Sequence, residues 1–343
     1  MIKIKLNEYI LQKHLDYCMG NETEASVNRN SLYKKLNDSI KNCTNKDLRN
    51  ILIFLSNNFK NLVIGNPFEL NKIKENISDK IKTAVLKEQL PEKQDKKEKE
   101  IKEALEAIFS VEYERFTDRN VKNPKLWWAY TFVQSINISV CPYCNSQFIF
   151  TYFNEEGRTR PVLDHFFCKS EYPFLSISIY NLIPCCKVCN SDFKGSTQVD
   201  LKNYLNPYIH EFEGKIHFKR ELIPSKSTKQ NYFSAITGES NNFKITLDYG
   251  GLSEELVTPY KQHAKLFHLE EIYQYHKNYV KDFIIKYRIY NDVYTNQLKS
   301  SYNKLFKNDD NLNQILMPKK EEMHNIILSK LTRDIVRLEL NKK

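Results

Sequence analysis

Four of the chain's eight cysteines fall in two Cys-x-x-Cys pairs, Cys141/Cys144 and Cys186/Cys189. A two-residue gap lets both sulfurs of a pair face one ion at tetrahedral angles, so two pairs make a complete thiolate set for structural zinc. Cys185 is a competitor for the ion, but only Cys186 keeps the two-residue gap to Cys189. The 41 residues between the pairs exceed the roughly 15 to 20 of a simple zinc ribbon, so something is inserted between the knuckles. Cys18, Cys43 and Cys168 are isolated and read as core or surface thiols. No apolar signal segment opens the chain, which argues against a secreted disulfide framework and for a cytoplasmic location.

The insertion reads as a hairpin feeding a reactive centre. Gln147 to Phe153 is rich in aromatic and β-branched residues, Asn154 to Gly157 is a turn, and Thr159 to Leu163 resumes an extended pattern. Pro161 confines that second strand to an edge or a short pairing. Asp164 and His165 follow at the strand's end, and a loop runs from there to Asn181. After Pro184 the second knuckle leads into a helix through Lys194, ended by Gly195. Strand, strand and helix around a metal make a ββα-metal finger.

These residues resemble the HNH endonuclease family, and within it the larger bacterial HNH proteins of anti-phage defence operons. The segments 163–173 (LDHFFCKSEYP) and 180–190 (YNLIPCCKVCN) carry most of the likeness, with 205–208 (LNPY) and 328–334 (LSKLTRD) adding to it. Septu-type systems, in which such a nuclease accompanies an ABC-like ATPase, are the nearest named example. The resemblance covers about residues 141–208, is weaker toward the C-terminus and does not extend to the first 120 residues. It implies that His165 is the first histidine of the motif, Asn181 its middle asparagine and Asn190 its last position. There asparagine replaces histidine, a change the family tolerates because either side chain can present a metal ligand. Cys168 stands where relatives usually carry proline.

The chemistry of those residues agrees with the assignment. Phosphodiester hydrolysis needs an activated water, a cation to absorb charge on the phosphate and a stabilised leaving oxygen. His165, the only histidine between the knuckles, suits a general base near neutral pH. Asp164 and the Asn190 carbonyl offer hard oxygen ligands, a sparse set that suits catalytic Mg²⁺ or Mn²⁺. Asn181 is expected to bond backbone and orient the His165 ring. Lys194 is a candidate phosphate contact, with a merely solvated lysine as the other reading.

Net charge is +10 over 343 residues, which is compatible with nucleic acid. Residues 141–210 hold six Lys/Arg and six Asp/Glu, so the excess lies in the flanks. No apolar run is long enough to span a membrane, and no phosphate-cradling GxxxxGK[ST] is present, so any ATP-driven step must come from another chain; the resemblance implies that this is an ABC-like or AAA-type ATPase partner. The flanks read as helical. The balanced charge run Glu92–Glu103 suits a solvated helix, and Trp127 and Trp128 suit core packing. Residues 215–218 and 243–247 read as β, followed by helices from Glu254 to Phe306 with Leu266, Leu269, Ile272, Tyr275, Tyr279 and Phe283 as a core stripe. His263, His268 and His276 read as structural.

The expected protein is α+β: a zinc-stapled ββα-metal HNH core (121–210) between a helical N-terminal region (1–120) and a C-terminal region of short β segment then helices (211–343). The expected activity is metal-dependent cleavage of DNA. The alternatives are an RNase or tRNase of the same fold, and a non-catalytic zinc module that binds DNA or assembles a complex.

Overall fold

The computed structural model describes residues 1–21, 31–119, 126–154, 156–223, 229–250, 252–305 and 316–339. Its fold is α+β, 56% helical with small antiparallel sheets. Two compact units interleave along the chain, one of residues 4–138 and 149–209, the other of residues 1–3, 139–148 and 210–343. No helix among the described residues is long and apolar enough to cross a membrane.

The first unit is a helical layer laid against short strands. Its helices are α1 (Glu8–Met19), α2 (Leu32–Asn42), α3 (Lys46–Asn57), α4 (Phe59–Ile64), α5 (Pro67–Val85), α6 (Pro91–Thr117) and α7 (Ala129–Ile136). Their starts follow local chemistry. Asn66 and Glu69 form a reciprocal capping box with Pro67 at the first helical position, and Pro91 opens α6 without a side-chain cap. The charge run inside α6 stays solvated, while Ile101, Leu105, Phe109 and Phe116 are buried. Trp127 and Trp128 are core residues.

The strands are β1 (Tyr152–Phe153), β2 (Arg158–Thr159), β3 (Val162–His165) and β4 (Leu182–Cys185). Sequence patterning pairs the segment 147–153 with 159–163; the structure limits that hairpin to two residues on each side. The longer pairing joins β3 to β4, with Asp164 opposite Ile183 and His165 opposite Leu182. Pro161 forces this outcome, because its missing N–H ends the first hairpin and lets the chain pair afresh.

Helices hold the connection between β3 and β4 in place. α6 packs on the turn Pro173–Leu175, and α4 and α5 pack on the turn Ile179–Asn181. The Ser178 hydroxyl donates to Leu62 O at 2.5 Å, and Lys102 on α6 pairs with Glu171 at 3.0 Å. His14 on α1 is fully buried, donating from Nε2 to Ile177 O at 2.8 Å while its Nδ1 accepts from Trp127 Nε1 at 3.2 Å. Only the neutral imidazole can do both.

The second unit is built on the hairpin of β5 (His217–Leu222) and β6 (Phe243–Asp248), paired from His217–Asp248 to Leu222–Phe243. Its helices are α8 (Lys229–Thr237), α9 (Glu254–Leu266), α10 (Leu269–Gln274), α11 (Lys277–Ile289), α12 (Asp292–Ser301) and α13 (Ser329–Glu339). Gln274 and Glu270 on α10 bond the Ile245 and Leu247 amides, so side chains occupy the edge of β6 that a further strand would take. The helical stripe departs from the sequence reading. Tyr275 is 88% exposed and Tyr273 is buried instead, because α10 ends at Gln274 and the phase restarts with α11. The motif 328–334 has a structural role here. Asn145, with φ +54°, accepts from the Ser329 hydroxyl and the Lys330 amide, and buried Asp334 accepts from the Phe218 amide and Lys330. His263 is buried beside Tyr143, and no metal group among the described residues includes it.

Burial lowers the His14 pKa to about 4, against the opposing influence of the Ile177 bond and Glu112. The folded value lies below that of the unfolded chain, so as pH falls the unfolded state takes up its proton first. Stability is full above about pH 6.5 and declines toward pH 4, by on the order of 3 kcal/mol. His14→Gln keeps a donor and an acceptor without the titration. Unfolding free energies from urea melts should fall between pH 7 and pH 5 by roughly 2 kcal/mol more in the wild type than in the variant; equal falls would contradict this.

Candidate metal centre and catalytic site

The two Cys-x-x-Cys pairs come together. The Sγ atoms of Cys141, Cys144, Cys186 and Cys189 all lie within 4.8 Å of one another, and all four residues are buried. Sulfurs around zinc at about 2.3 Å are separated by about 3.8 Å in a tetrahedron, so the group fits such an ion. Backbone amides already turn toward the sulfurs, with Ser146 N at 3.5 Å from Cys144 Sγ and Cys189 N at 3.4 Å from Cys186 Sγ. Cys186 takes part and Cys185 does not. Cys185 closes β4 opposite Val162, and successive side chains of an extended chain point to opposite sides.

The second knuckle runs into a wide-turn helix, Val188–Lys194, in which Gly195 N bonds Asn190 O at 3.0 Å. That five-residue step is π-type, and Gly195 takes φ +48° to leave the helix. The wider turn carries Lys194 inward. Its ammonium donates to Asp164 Oδ1 at 2.8 Å and to His165 O at 2.7 Å, with both side chains about 5% exposed or less. Lys194 is therefore not a solvated lysine, and its amine is engaged within the protein rather than presented to a ligand.

His165 lies at the end of β3. Its Nε2 is 2.9 Å from Ser176 O. A carbonyl oxygen only accepts, so Nε2 carries the hydrogen and Nδ1 holds the lone pair. The Tyr113 ring meets the imidazole edge-on, with centroids 4.5 Å apart. Burial lowers the His165 pKa to about 4, with Lys169 and Lys194 acting the same way and the Ser176 bond and Asp164 opposing. The ring is neutral at physiological pH.

Asn181 is fully buried and spends its side chain on backbone. Oδ1 accepts from Phe167 N at 2.7 Å, and Nδ2 donates to Phe167 O at 3.1 Å and Leu175 O at 3.0 Å. It ties the two ends of the loop together, and so fixes Ser176, whose carbonyl in turn sets the His165 ring. Its influence on the imidazole is indirect. Asn190 is half-buried, and its Nδ2 donates to Ser191 Oγ at 3.2 Å.

Two contributors lie outside the sequence motif. Tyr113 comes from α6, more than fifty residues upstream, and no local spacing announces it. The Ser176 contribution is a carbonyl, which any residue supplies. No family model, curated protein or solved structure matches the chain.

If the thiolate group is a zinc site, purified protein carries about one zinc per chain, bound as part of the folded state. Cys144→Ser should lower both zinc content and the temperature of unfolding, read by elemental analysis and calorimetry. Well-folded wild type without metal would overturn the assignment.

Proposed function

We propose that this chain is a metal-dependent endonuclease of the HNH type that cuts DNA phosphodiester bonds as the nuclease arm of an anti-phage defence complex. The observation that carries the reading is the neutral His165 imidazole beside buried Asp164, on a strand tied by Lys194 to the helix that leaves the second thiolate knuckle.

The chemistry assigned to the protein's residues is as follows. His165 holds its Nε2 hydrogen on Ser176 O, which leaves Nδ1 to take the proton from an attacking water. The water oxygen bonds to phosphorus as the bond to the leaving oxygen breaks. Asn181 positions the Ser176 carbonyl and keeps the ring in one tautomer. Asp164 and the Asn190 side-chain oxygen are hard donors of the kind that hold Mg²⁺ or Mn²⁺, which when bound supplies a Lewis acid for charge on the phosphate. The Lys194 ammonium already occupies Asp164 Oδ1, so a divalent ion on that oxygen competes with it. The defence role and the ATPase partner rest on the resemblance of segments 163–173 and 180–190, and on the absence of a nucleotide-binding motif in the chain.

Zinc-loaded wild type should nick plasmid DNA with Mg²⁺ or Mn²⁺ and stop in mild EDTA, with a rise in rate when the proposed ATPase partner is added. His165→Ala should lose at least ~100-fold in rate, the scale of one positioned general base, with zinc content unchanged and the chain still folded. A variant that cuts at the wild-type rate would refute the assignment.

A further inference from the structure

Two of the buried or half-buried cations near the site have a carboxylate. Lys102 has Glu171 and Lys194 has Asp164. Lys169 and Arg160 do not: among the described residues neither makes an ion pair with an acid. The Lys169 ammonium lies over the Tyr113 ring, 5.3 Å from its centre, and the same ring meets His165 edge-on. The Arg160 guanidinium donates only to backbone, at Pro161 O and Thr117 O, and its Nε is buried without a partner. Its charge reaches the Tyr113 hydroxyl, whose pKa burial raises so that the phenol keeps its hydrogen. The Lys169 ammonium and the imidazole thus meet one aromatic ring, the Arg160 guanidinium lies 5.7 Å from the centre of the Tyr130 ring, and neither cation makes an ion pair with an acid among the described residues.

A half-buried cation without a paired acid costs free energy through lost hydration. A phosphodiester carries the complementary charge, and a lysine meets it as a point charge without demanding one geometry. We propose that Lys169, Tyr113 and Arg160 form the phosphate-holding face of the site, with the Lys169 ammonium on the non-bridging oxygens of the phosphodiester beside His165. Tyr113 lends its hydroxyl as a donor, and Arg160 holds the local potential positive from behind. The proposal rests on the nuclease reading and deepens it. It also moves the phosphate contact from Lys194, which is engaged with Asp164, to a lysine on the loop after β3.

The test is binding of the full zinc-loaded chain to a short DNA duplex, measured by fluorescence anisotropy in EDTA across a salt series, with cleavage rates measured in Mg²⁺. Lys169→Gln should weaken binding about tenfold and reduce the slope of log affinity against log salt by about one, as the loss of one phosphate contact requires. Lys169→Arg should restore both, and Tyr113→Phe should slow cleavage with the salt slope unchanged. Zinc content checks that each variant is folded. If the wild type cuts DNA and Lys169→Gln matches it in affinity, slope and rate, this proposal fails while the nuclease reading stands. If the wild type neither binds nor cuts nucleic acid, the nuclease reading fails and this proposal with it.

Discussion

A buried ammonium shared between a carboxylate and a carbonyl holds the centre of this protein together. Lys194 joins the end of the wide-turn helix to two consecutive residues of β3, bonding Asp164 through its side chain and His165 through its backbone. Burying either charge alone costs several kcal/mol, and removing one partner of such a pair leaves the other uncompensated. The pair therefore fixes where the helix can sit on the strand. It does so beside the imidazole, because the residue that accepts the second bond is His165 itself. The π-type turn that carries Lys194 inward is the local distortion this arrangement requires.

Around that fixed point the helices act on the loop between β3 and β4. Asn181 closes the loop on itself through three backbone bonds, α4 bonds Ser178, and His14 on α1 bonds Ile177. Ser176 sits among these anchored residues, and its carbonyl sets the imidazole tautomer. The order of control runs from the helical layer to the loop, from the loop to a carbonyl, and from the carbonyl to one ring nitrogen. A ring held this way needs little reorganisation to accept a proton.

The parts of the site legible in the sequence are those in which chemistry dictates local spacing. Two-residue gaps between cysteines, and the preference for Cys186 over Cys185, follow from how a short loop must present sulfur. The pairing of β3 was harder to read. Its partner lies beyond a loop of some fifteen residues, while a nearer aromatic segment offered an apparent hairpin, and the effect of Pro161 on that choice is felt only once the strands compete. Lys194 was visible as a lysine near a helix end, but the five-residue step that buries it leaves no mark on apolar periodicity. Tyr113 and the Ser176 carbonyl come from contacts across the fold, and pattern along the chain has no access to them. The misplaced Tyr275 has a related cause, since a break between two helices resets their phase.

The divalent ion proposed for Asp164 would compete with the Lys194 ammonium for Oδ1. Diffraction from Mn²⁺-soaked crystals of the zinc-loaded chain, measured for anomalous signal at the manganese and zinc edges, addresses it directly. The account predicts zinc among the four thiolates and manganese at Asp164, with the Lys194 ammonium drawn away from Oδ1. Manganese bound elsewhere, or Asp164 still closed on Lys194 at saturating Mn²⁺, would contradict it.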